Sequence, residues 1–113
     1  VYDINATLPA LATIVDGIDC MEGDGPILGS LKHMGLILVG TNLPAVDATM
    51  ARIMDLVPER IPYLKLARRR LGPLADGYIE QMGESWESLQ SPFKLLDRPH
   101  ILNYRLGSGP LVT

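Results

Sequence analysis

The chain has a single cysteine, Cys20, in 113 residues. One thiol closes no internal disulfide. It also falls short of the roughly four thiolates that hold an iron–sulfur cluster, so no cluster is expected on this chain alone. Such sparing use of cysteine fits a reducing compartment, and a cytoplasmic location is expected. No apolar run reaches the roughly 18 residues of a membrane span, and no signal-peptide pattern opens the chain. An excess of basic residues is also missing: 10 Lys and Arg face 13 Asp and Glu, a net charge of −3. General nucleic-acid binding needs a basic surface and is therefore not expected. Sequence repeats, low-complexity tracts and internal linkers are absent. The chain starts at Val1 rather than methionine, and "VYDINATL" reads as the end of a helix, so a piece of a longer protein is expected.

What is present is a core. Apolar residues make up 47% of the chain, enough for one small domain over residues 1–113. "LATIVDG" (Leu11–Gly17) is β-branched and continuously apolar, as is "GLILVG" (Gly35–Gly40). Both read as strands covered on two faces. "TNLP" then opens a helix over residues 44–56, with Val46, Met50, Ile53, Met54 and Val57 on one stripe. Thr41 or Asn42 can cap it, and Pro44 suits its first turn. A second helix is predicted over 62–71, stopped by Gly72 and Pro73. Short strands are predicted over 78–82 and 101–104. Strands and helices intermix, so the class is α/β: a small mixed or parallel sheet flanked by helices, as part of a larger domain.

Between the two apolar runs lies a segment crowded with acids and glycines. Asp16, Asp19, Glu22 and Asp24 alternate loosely with Gly17, Gly23, Gly25 and Gly29. If the two strands are parallel neighbours, their C-terminal ends lie side by side, and Asp16 and Asn42 face one crevice, where open α/β sheets collect ligands. Carboxylates there suit a hard divalent cation such as Mg²⁺ or Ca²⁺. Asp16, Glu22, Asp24 and Asp47 are the candidate metal ligands. Asp16 and Glu22 are alternatively a general base. Gly23, Gly25 and Asn42 are the candidate backbone and side-chain contacts to a cofactor or an anionic small ligand. The plainer interpretation is a surface turn, for which Asp and Gly need no ligand. Asp47, in a first helical turn, is more simply accounted for by the helix dipole. The spacing is not that of an EF-hand, and "GDGPILG" is not a dinucleotide fingerprint. Lys65, Arg68, Arg69 and Arg70 could meet an anionic partner, or simply form the solvated end of a helix. His33 and His100 have no metal-like partner in sequence. Carboxylates near Cys20 would raise its pKa and dull it as a nucleophile.

These pieces occur in a recognisable order. Asp3, Asn5 and Pro9 are followed by "IVDG", "MEGDGP", "GLILVGT", "AVDA" and "IPYLKLA". The run from Asp3 to about Glu84, about three quarters of the chain, resembles the family catalogued as domain of unknown function 362. The resemblance implies a bacterial or archaeal protein, this chain being the C-terminal half of the family domain. It also implies association with iron–sulfur proteins, in which ferredoxin-like modules carry the cysteines. The partners to expect are such a module or the missing N-terminal half. One departure stands out: where the family reads Asp-Pro-Val, this chain has Asn42-Leu43-Pro44, and Asn is the poorer metal ligand. Two functions follow. One is an enzyme fragment whose acidic glycine segment binds a divalent metal or anionic ligand in a redox setting. The other is a non-catalytic accessory domain packed beside an iron–sulfur module, its acids serving as turn formers and its exposed apolar surface as an interface.

Overall fold

The computed structural model describes residues 1–9 and 11–105, and the backbone of 111–112. Its α/β class is as expected, but the sheet is built differently. β1 (Thr13–Asp24) and β2 (Leu28–Gly40) form an antiparallel hairpin, with Val15 opposite Leu38 and Glu22 opposite Ser30. The parallel arrangement is overturned by the length of the connection. Only residues 25–27 turn, whereas a parallel pair needs a crossover of a dozen or more residues. The acidic glycine segment is therefore mostly strand. Its glycines serve close approach as much as turning: a Cβ on Gly17 would overlap Leu36, and one on Gly29 would overlap Met21. The register slips between Gly17 and Asp19, where Gly35 takes a φ of +65°, open to glycine at little cost.

Nor are the strands covered on both faces. Alternation puts Val15, Gly17, Leu36 and Leu38 on the side facing the helices, and Ile14, Asp16, Ile37 and Val39 on the other. Ile14, Ile37 and Val39 remain 74%, 63% and 66% exposed.

α1 (Tyr2–Thr7) precedes the hairpin. α2 (Leu43–Ile53) follows it and is the central helix. One face of α2 carries Ala48 into a cluster with Leu64 and Leu74, joined by Ile61, Tyr63 and Ile79. Another lies under β2, where Gly40 packs so closely on Val46 that a Cβ would overlap it. Ile53 and Leu64 are almost wholly buried, each contributing about 1.5–3 kcal/mol of hydrophobic stabilisation. α3 (Pro62–Ala67) ends four residues before the predicted stop, passing through turns to Gly72.

The predicted strand over 78–82 forms no ladder. A 3-10 turn (Asp76–Tyr78) leads into Ile79, whose backbone is extended, and the chain then reaches α4 (Trp86–Leu89), capped by Ser85. β3 (Leu95–Leu96) pairs in parallel with β4 (Leu111–Val112). Between them, α5 (Pro99–Leu102) replaces the strand predicted over 101–104, with Pro99 in its first turn, where the missing N–H costs nothing. No helix among the described residues is long and apolar enough to cross a membrane.

Candidate functional site

The hairpin separates the acids that the sequence places in one loop. Asp16 lies on the exposed face of β1, and its Oδ1 accepts the Ile18 N–H at 3.1 Å across the register slip. It acts as a local brace of the bulge. Asp19 sits directly opposite His33 and receives its Nδ1 at 2.7 Å, in an exposed cross-strand pair.

Glu22 turns toward the C-terminal part of the chain. Its Oε2 accepts the Lys94 N–H at 2.9 Å and lies 3.7 Å from Lys32 Nζ. Lys32 donates to the Pro92 carbonyl at 2.9 Å and stands 5.0 Å from the centre of the Phe93 ring, a cation–π distance. The Gly23 N–H donates to the Lys94 carbonyl at 3.0 Å, with Gly23 at a φ of +82°. Glu22, Gly23 and Lys32 thus clamp the hairpin to residues 92–94. Asp24 ends β1 beside the turn, and Gly25 begins that turn, next to Pro26 and against Met21.

Asn42 is committed to α2. Its Oδ1 accepts the Ala45 N–H at 3.1 Å, the bond expected of an N-cap, and its Nδ2 donates to the Leu71 carbonyl at 3.3 Å. Gly72, at a φ of +156°, packs against the same amide with no room for a Cβ. An aspartate at this place would find a cap and a neighbouring carbonyl rather than an open coordination position.

Asp47 lies half-buried on α2, and its Oδ2 accepts the Tyr63 hydroxyl at 3.0 Å. Burial pushes the Tyr63 phenol up from 10.0 to about 12, with the Asp47 charge and hydrogen bond adding to the rise. A cavity of about 50 Å³ adjoins this pair, lined by Tyr2, Asn5, Pro44, Leu64 and Leu71 among others. It is roomy enough for water and too small for a metabolite.

Asp16, Asp24 and Asp47 therefore occupy the bulge, the hairpin tip and the helix, and Glu22 faces Lys94. Among the described residues, no group of three or more His, Cys, Asp or Glu side chains is placed to hold a metal ion. Cys20 is dulled as its surroundings suggest: burial raises its pKa, and Asp16 and Asp19 raise it further.

Sequence reasoning missed Arg105. This side chain is buried, donating to the carbonyls of Asp55 (3.1 Å), Met54 (3.3 Å) and Phe93, with the Asp55 carboxylate at 3.4 Å. It fastens the end of α2 to the 91–93 segment, whose Ser91 and Phe93 N–H groups also donate to Ile53 and Met54. Asp55, at a φ of +63°, turns its carbonyl toward the guanidinium. A lone arginine among loop residues carries no such signal in sequence.

The comparisons with known proteins agree with the motifs. Residues 1–52 match the family described as Domain of unknown function (DUF362), so the resemblance is borne out over "IVDG", "MEGDGP", "GLILVGT" and "AVDA", with "IPYLKLA" beyond the matched stretch. A stretch of 60 residues is 37% identical to Thylakoid-associated protein sll1697 of Synechocystis sp. (strain ATCC 27184 / PCC 6803 / Kazusa). That stretch is 53% of this chain and 18% of the relative, so the chain aligns with less than a fifth of that protein's length. No solved structure matches the chain.

Proposed function

We propose, taking residues 1–52 as a DUF362 segment, that this chain is a non-catalytic interaction domain whose hairpin packs against a neighbouring module. One observation carries the assignment. Ile14, Ile37 and Val39 are neighbours on one face of a two-stranded sheet and are left largely exposed. Ile14 pairs with Val39, and Ile37 lies on the next rung beside Asp16, so they form a patch rather than scattered single residues. The module that the family resemblance suggests is an iron–sulfur domain, which would supply its own cysteines.

The alternative, a divalent ion or anionic ligand at the acidic hairpin, has less geometric support. Asp16, Glu22 and Asp47 each already accept a hydrogen bond within the fold.

Thiol footprinting tests docking directly. In a Cys20→Ser background, Ile14→Cys should react at the rate of an open thiol in the purified chain and much more slowly in the cells that make the protein. Equal rates in both settings would sink the interface.

A further inference from the structure

The outer edge of β2 overlooks a groove of about 570 Å³. Gly35–Val39 form one wall, and Glu80–Glu84 with Trp86 form the other. The floor is α2, through Ala45, Val46, Thr49 and Ile53. β2 pairs only with β1, so among the described residues the backbone groups along its other edge have no ladder partner. Such an edge is a template for a further strand. The opposite wall is anchored to α2 on both sides, Arg52 donating to the Leu74 carbonyl and Gln90 Nε2 to the Arg52 carbonyl at 3.1 Å. It is braced within itself by Trp86, whose N–H donates to Gln81 Oε1 at 3.4 Å and whose Nε1 donates to Asp76 at 3.0 Å.

We propose that this groove receives a β-strand from a partner, completing a third strand beside β2 over α2. Strand capture rests on the interaction-domain assignment and names the partner's chemistry. The hydrogen-bonding edge requires an extended backbone, and Leu36 to Val39, beyond the bulge at Gly35, offers about 10 Å of it, room for three or four residues. Alternate side chains of the added strand would meet α2 on one side and extend the Ile37 and Val39 face on the other, so both sets of positions favour apolar or β-branched residues.

The rim sets the charge. Glu80 and Glu84 are exposed, neither forms a salt bridge among the described residues, and no Lys or Arg lines the groove. A strand flanked by basic residues is therefore the complementary occupant. The anchored far wall argues against a second copy, whose β2 could enter only with its own α2 and its own wall.

The probe is an acetylated, labelled heptapeptide, Lys-Val-Thr-Val-Thr-Val-Lys, titrated into the purified chain by fluorescence anisotropy. Two controls replace both lysines by glutamate, or both threonines by proline. Saturable binding is expected, lost with the proline peptide and weakened on the order of fivefold or more with the glutamate peptide. Glu80→Gln and Glu84→Gln should each weaken the lysine peptide by up to about fivefold. Bound peptide should also slow amide exchange across residues 35–39.

No binding of the lysine peptide, or equal binding of the proline control, overturns strand capture. So does a dimer in sedimentation that protects residues 35–39 without peptide, because a second copy then fills the edge. Ile14 lies on β1, across the ladder from Val39, and is not among the residues lining the groove. In-cell protection of Ile14→Cys together with failure of the peptide would remove strand capture and leave the docking face standing.

Discussion

The hydroxyl of Tyr63 donates to Asp47 across 3.0 Å between α3 and α2. A carboxylate that the sequence offers as a metal ligand is thereby an acceptor holding two helices together. Removing the phenol should cost stability without touching any ligand site. Tyr63→Phe is expected to lower the unfolding free energy by about 1 kcal/mol, measured by urea denaturation at neutral pH.

The same pair predicts a pH dependence. The folded-state pKa of Tyr63 is raised to about 12 from 10.0, so the folded protein holds the phenolic proton more tightly than the unfolded chain. The corresponding stabilisation is complete below pH 10 and is lost as pH rises from about 10 to about 12. Melting temperatures of the native chain should fall more steeply through that window than those of Tyr63→Phe. Parallel curves would refute the coupling.

Asn42 is expected to act as a cap. Asn42→Ala should cost about 1 kcal/mol, while Asn42→Asp should keep the cap and most of the stability. A loss from Asn42→Asp as large as that from alanine would mean that its bond to the Leu71 carbonyl dominates.

Mg²⁺, Mn²⁺ and Ca²⁺ should leave the melting temperature unchanged, since the candidate carboxylates are spread over bulge, tip and helix. An ion at about 100 times its dissociation constant would add roughly 2.7 kcal/mol. A rise of that size, abolished by a combined Asp16→Asn and Asp24→Asn variant, would return the acidic hairpin to the role of metal site.

Arg105→Met should be among the most damaging single changes. It leaves three carbonyls without their donor and the Asp55 carboxylate without its cation, at a cost of about 3 kcal/mol. Calorimetry of the variant gives the value, and a change below about 1 kcal/mol would show that the guanidinium is dispensable.

The sequence made α2 legible because its signals are local: an Asn cap, a proline in the first turn and apolar residues at helical spacing. Family motifs in the first 52 residues were legible for the same reason. The hairpin was not. Gly17, Gly23 and Gly29 look like loop residues, yet they lie within paired strands, two of them where a neighbouring side chain needs the space a Cβ would take. Reading them as loop turned one antiparallel pair into two separate strands and gathered acids that the pleat and the bulge keep apart. Tyr78 to Met82 carries strand-like residues, but a strand is defined by its partner, and among the described residues there is none beside it. Arg105 was invisible because its role depends on carbonyls about 12 and 50 positions away.

The clamp between Glu22 and Lys94 joins positions 72 apart in the chain. Closing so large a loop costs chain entropy, so the hairpin tip is expected to gain its anchor after α2 and the segments behind it. In the reverse direction, the tip lets go when the 92–94 segment lifts. A protease nick between α4 and β3 should therefore loosen a hairpin tip more than sixty residues upstream of the cut.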